Sequence, residues 1–256
     1  MTSDNVVFIG PSLSLAEASS YLDARFLPPA EQGSVFRVVR AAKPRAIVLI
    51  DGIFAKVPAV RHKEILWALS RRVPVYGAAS IGALRAAELA PFGMRGHGLI
   101  YRWYRATPLA DDDEVAVAMT PPEVGAQALS DALVNIRRTL QRAAAAGIIS
   151  IEVRRALEAV ARSLHFTRRT YSGVFDEART ILPASWQPQI EAVACWAADH
   201  AVDQKKADAS ALLRWLSDQV DLPPVETSAL EQFRMTEAWG ADLDASGLYS
   251  VDPLQP

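Results

Sequence analysis

Val73-Pro74-Val75-Tyr76-Gly77-Ala78-Ala79-Ser80-Ile81-Gly82-Ala83-Leu84-Arg85-Ala86-Ala87-Glu88-Leu89 decides the fold. A short β-rich run stops at a cluster of small residues. A segment rich in Ala, Leu and Glu then begins, and these residues favour a helix. The same grammar recurs upstream. Val6-Val7-Phe8-Ile9 runs into Gly10-Pro11-Ser12, and Ala46-Ile47-Val48-Leu49-Ile50 runs into Asp51-Gly52. Helical patterns follow at Ser14 to Leu22 and at Ala59 to Arg71. Short apolar runs alternating with helical segments predict βαβ units, and so an α/β protein with a mainly parallel sheet flanked by helices, Rossmann-like in kind. Such sheets bind ligands beyond the carboxyl ends of their strands, where the three clusters should share one edge.

From Pro121 onward the period becomes helical. Leu129, Leu133, Ile136 and Leu140 are spaced by four, three and four, which stacks them on one helix face. Thr120-Pro121-Pro122-Glu123 has the form of a capped helix start, and Gly147 that of a stop. Val153, Leu157, Val160 and Leu164 repeat the pattern, and helical runs recur at Ile190 to Ala201 and Ala209 to Val220. The expected organisation is an α/β core over 1–118, an all-α region over 119–240 and a weakly patterned tail over 241–256, read as an end without structure or a docking segment.

Composition excludes several function classes. Of 256 residues, 27 are basic and 29 acidic, so the formal charge of −2 gives no bulk attraction to nucleic acid or anionic lipid. The single cysteine, Cys195, cannot form an internal disulfide, and no apolar run reaches a membrane span. A reducing cytoplasm is the expected location. The four histidines, His62, His97, His165 and His200, are scattered with no metal-ligand spacing, so neither a metal nor a cofactor is expected.

Ala78-Ala79-Ser80-Ile81-Gly82 has the shape of a nucleophile elbow with Ala in place of the first Gly. Ser80 is read either as a nucleophile, with the Ile81 N–H as oxyanion donor, or as a helix N-cap. Arg61-His62-Lys63-Glu64 is read as a charged, solvated first turn, or as the source of a base (His62) and a cation (Lys63) for an anionic substrate. Asp51 is read as a turn residue or as an acid that orients the histidine. Arg85 and Glu88 follow Ser80 by five and eight residues, close enough to each other to pair. Asp111-Asp112-Asp113-Glu114 opens a helix, or binds a cation or a basic partner. The Gly10 to Ser12 and Gly93 to Gly98 segments are read as flexible loops without nucleotide-binding spacing.

Taken in order, Val7 to Leu13, Ile50 to Phe54, His62 to Leu66, Gly77 to Leu89 and Asp111 to Val115 resemble the TfuA-like core domain, over about residues 6–118. Ile81 stands where that resemblance leads us to expect methionine. The resemblance implies an accessory role in peptide-backbone thioamidation, beside the ATP-dependent YcaO enzyme that activates the amide oxygen. It further implies sulfide release from the C-terminal thiocarboxylate of a ThiS-like carrier. Under that implication Ser80, His62, Lys63 and Asp51 would be catalytic, while Arg85, Gly10, Ser12, Ile81 and Glu88 would bind substrate. Two other readings stay open: a docking subunit without activity that binds YcaO through its helices and acidic run, and a small-molecule hydrolase using the same elbow.

Overall fold

The computed structural model describes residues 4–53, 57–107, 111–225, 233–234 and 236–248. Phe54, residues 226–232 of the expected helical region and residues 249–256 of the expected tail lie outside them. The chain divides into two compact units, one made of residues 1–108 with 208–256 and the other of residues 109–207.

The first unit is built on five parallel strands, β1 (Asn5–Phe8), β2 (Arg25–Leu27), β3 (Ala46–Leu49), β4 (Val75–Gly77) and β5 (Arg95–Gly96), in the order β2-β1-β3-β4-β5. β1 and β3 are buried along their whole length, as their uninterrupted apolar runs require of strands covered on both faces. Side chains alternate across the sheet. Val6, Phe8, Ile47, Leu49 and Val75 face α2 (Ser34–Ala41), α3 (His62–Ser70) and α4 (Ile81–Leu89). Val7, Val48, Ile50 and Tyr76 face α1 (Leu15–Tyr21) and, far along the chain, Leu212, Leu213 and Leu216 of α10 (Gln204–Ser217). The sheet's second face is therefore closed by a helix from beyond residue 207. α5 (Gly98–Ala106) packs beside α4. Outside α2 and α3, Phe36 and Trp67 form an aromatic cluster with Trp239 of the C-terminal helix α11 (Glu237–Ala245), which reaches into the stretch expected to lack pattern.

The second unit holds α6 (Leu133–Ala145), α7 (Ile151–Ser163), α8 (Tyr171–Ile181) and α9 (Gln187–His200), whose apolar stripes share one core. Leu133, Ile136, Leu140, Val153, Leu157 and Val160 line it as their spacing predicts, and Gly147 follows α6 at φ +73°, suiting a left-handed stop. The expected start at Thr120 is not a helix start. Pro122–Val124 forms a single 3₁₀ turn, the Thr120 hydroxyl accepts from Gln127 N, and Leu129 is exposed. The capping signal there ends in Gly125 at φ +96°, which breaks the helical path before it propagates.

Candidate functional site

The reversal of strand order falls between β1 and β3, where open α/β sheets present their ligand crevice. Asp51 stands there, fully buried one residue beyond Ile50. Its Oδ2 accepts from Gly10 N at 2.9 Å and Ser12 N at 3.0 Å, and its Oδ1 accepts from Ser12 Oγ at 2.6 Å. A carboxylate taking these donors fixes the path of the β1–α1 loop. The N–H of Gly10, a residue that the resemblance assigns to substrate binding, is thereby engaged by Asp51. Gly52 has no room for a side chain, because a Cβ would lie 2.7 Å from the Ile81 side chain and 2.8 Å from Ala30 O.

β4 delivers Ser80 to the same edge through a strained turn. Ser80 N donates to Ala78 O at 2.8 Å, closing a three-residue turn with Ala79 at φ +67°. A positive φ at the centre of so tight a turn is rare for a residue with a side chain. Strain of this kind persists where the surroundings enforce it. Here α4 is seated directly on the strands. A Cβ on Gly82 would be 1.8 Å from Leu49 O, one on Gly77 would be 2.0 Å from Gly82 O, and Gly82 N donates to Ile50 O. Ser80 occupies the N-cap position of α4, and its carbonyl accepts from Ala83 and Leu84, yet its side chain makes no capping hydrogen bond. Ser80 is 3% exposed, at the head of a helix whose first N–H, that of Ile81, has no carbonyl within the helix to bond.

The other residues singled out from sequence assemble at a second place. His62 Nε2 lies 2.8 Å from Glu88 Oε2, and Arg85 bridges Glu88 Oε2 at 2.6 Å and Val60 O at 3.0 Å. Burial pushes the Glu88 carboxyl up, but the hydrogen bonds and charges of His62 and Arg85 outweigh it and hold Glu88 below the usual range. At 1.5 Å per residue, Arg85 and Glu88 lie about 7.5 and 12 Å along α4 from Ser80. The carboxylate beside His62 is therefore Glu88, while Asp51 serves the Gly10 to Ser12 loop. Lys63 donates to Arg234 O at 2.9 Å and sits over the Phe233 ring.

Sequence reasoning missed Glu64. It was grouped with a solvated first turn, but it is 1% exposed and accepts from Arg61 N, Gly33 N, Val35 N and Phe36 N, capping α2 and α3 together. Burial pushes its pKa up to about 7 against the lowering effect of those four amides. The signal was its place three residues into α3, where an acid reaches back to the cap.

The acidic run lies in the second unit. Asp112–Glu114 forms a 3₁₀ turn, and its neighbours are neutralised internally. Arg137 binds Glu114 through two nitrogens at 2.9 and 3.1 Å, the fully buried Arg169 reaches Asp113 at 2.6 Å, and Arg162 pairs with Asp111. Among the described residues no group of three or more His, Cys, Asp or Glu side chains could hold a metal ion, and no helix is long and apolar enough to cross a membrane.

The profile of the TfuA-like protein family matches residues 51–170. The matched segment contains Asp51, His62, Lys63, Ser80, Ile81, Arg85, Glu88 and the acidic run. It begins later than the resemblance read from sequence, leaving out Gly10 and Ser12, and continues past residue 118 through α6 and α7. No curated protein matches the chain.

Proposed function

From a chain that is TfuA-like over residues 51–170, we propose an accessory protein of YcaO-dependent thioamidation that hydrolyses the C-terminal thiocarboxylate of a ThiS-like sulfur carrier and so supplies sulfide. The observation that carries this reading is Ser80: a buried residue whose hydroxyl is unused as a cap, at the head of α4 on the carboxyl edge of a parallel sheet.

Hydrolysing a thiocarboxylate means adding oxygen to a carbonyl that already bears negative charge. A cation must offset that charge, and we assign that role to Arg85 on α4 and Lys63 at the head of α3, which would have to turn from their present partners, Glu88 with Val60 O and Arg234 O, toward the substrate. Ser80 attacks the carbonyl carbon, the Ile81 N–H faces the developing oxyanion, and Asp51 keeps the Gly10 to Ser12 loop in shape around the crevice. Sulfide leaves, and water clears the acyl-Ser80 ester. His62 and Glu88 form the outer rim with Arg85.

The direct test is sulfide release from a thiocarboxylated ThiS-like carrier by the purified protein. Ser80→Ala is expected to abolish release, and Arg85→Ala to raise the carrier KM. A loss of tenfold or less in Ser80→Ala would return Ser80 to a structural role. No release from the intact protein, with YcaO present, would favour a docking subunit without activity.

A further inference from the structure

A serine at this edge needs a base, and the hydrogen bonds of His62 are made to Glu88, toward the far end of α4. A second histidine stands at the end of the strand next to β4. β4 pairs with β5 through Gly77 and Gly96, and His97 N donates to Gly77 O at 2.9 Å. His97 is thus the first residue past the carboxyl end of β5, next to the strand whose end delivers Ser80. Building on the hydrolase reading above, we infer that His97 is the general base that deprotonates Ser80, and that α10 positions it.

Three features make this placement specific. The ring is half-buried beside Trp215 of α10, with centroids 6.2 Å apart, and Trp215 also packs on Tyr76 of β4. Asp208, buried on the same helix, accepts from Ile100 N at 2.7 Å and so holds the first turn of α5, at whose N-cap position His97 stands without a side-chain capping bond. Gly98 permits that approach, since at φ +94° a Cβ would lie 2.3 Å from the Asp208 carboxyl carbon. Among the described residues neither ring nitrogen of His97 is hydrogen-bonded. Burial lowers the ring's pKa below its ordinary 6.5; Asp208 opposes that and Arg102 of α5 adds to it. Arg95 of β5 turns away, donating to Pro223 O and Pro224 O. The imidazole is therefore neutral near pH 7, the form a base requires.

In the step assigned to it, His97 takes the Ser80 proton as the Oγ–carbon bond forms, then gives it to the departing sulfur. Thiocarboxylate and serine thus become acyl-serine and HS⁻. Water entering through the same imidazole yields the carboxylate, free serine and one proton.

The experiment compares sulfide release from the thiocarboxylated carrier by wild type, His97→Gln and His62→Gln between pH 5 and 8. His97→Gln is expected to lose at least about a hundredfold in kcat, the usual share of a general base, with partial rescue by added imidazole. His62→Gln, at the rim on the carboxylate that Arg85 also binds, is expected to raise the carrier KM, with a loss in kcat well short of that of His97→Gln. The wild-type rate should fall on acidification with an inflection that coincides with the His97 ring titration followed by NMR, a comparison that needs no variant. Asp208→Asn, which keeps an oxygen for Ile100 N, should move that inflection to lower pH. A His97→Gln protein that stays within tenfold, or an inflection that departs from the ring titration, overturns the assignment while Ser80→Ala still shows the hydrolase to be real. Absence of release from wild type overturns the hydrolase reading and this assignment together.

Discussion

The two units partner their carboxylates by different means. In the sheet unit Asp51, Glu64 and Asp208 accept from main-chain N–H groups: Gly10 and Ser12, then Gly33, Val35, Phe36 and Arg61, then Ile100. In the helical unit Asp111, Asp113 and Glu114 accept from the guanidinium groups of Arg162, Arg169 and Arg137. Amide donors fix the shape of the turn they belong to. Guanidinium donors tie one segment to another. The first device sets the outline of the sheet's carboxyl edge, and the second holds a bundle together.

An arginine can be removed by mutation, and a main-chain amide cannot, so the two devices should fail differently. The largest effect is expected from Arg137→Met. It leaves Glu114, 2% exposed, without its paired cation and should destabilise the protein by about 3–5 kcal/mol in denaturant unfolding. Glu114→Gln combined with Arg137→Met should cost less than the sum of the two single changes. Additive losses would break the contrast.

The amide-held carboxylate is reached instead through pH. Glu64 is ionised in the unfolded chain above its ordinary 4.5 but keeps its proton in the folded chain up to about 7, so folding takes up a proton between those values. Its contribution is complete below about pH 4.5 and is lost as pH rises through about 7, a decline of at most about 3 kcal/mol at 1.36 kcal/mol per pH unit. Melting curves should show this slope in wild type and its disappearance in Glu64→Gln.

The smallest effect belongs to the turn before Ser80. Ala79→Gly relieves a positive φ of 67° but frees the unfolded chain, for a net gain of roughly 0–1 kcal/mol. The same variant should release sulfide more slowly, because the looser turn no longer holds Ser80 in place. A faster variant would show that the strain contributes nothing to the site.

Much of the sheet was legible in the sequence, because β1, β3 and β4 are apolar runs closed by small residues. β2 and β5 were not: they are three and two residues long and only partly covered, so they carry no usable period. The edge position of Asp51 and Ser80 followed from strand ends alone. Their partners did not, since Asp51 binds residues 39 and 41 positions away and Glu64 binds amides 28 to 31 positions away. His97 was read as part of a flexible loop, because glycines surround it; each proves to be a close approach, Gly96 to Tyr101 and Gly98 to Asp208. The acidic run was read as a helix start or a cation site, and the arginines that meet it come from positions 137, 162 and 169, beyond any local pattern.

The helix that closes the second face of the sheet bears on how the chain is made. Strands β1, β3 and β4 leave the ribosome long before Leu212, Leu213 and Leu216, with residues 109–207 translated in between. At about 5–20 residues per second, Val7, Val48, Ile50 and Tyr76 wait roughly 7–40 s for their α10 cover. During that interval the nascent sheet has one apolar face without its α10 cover, the kind of surface that makes a folding intermediate prone to aggregate.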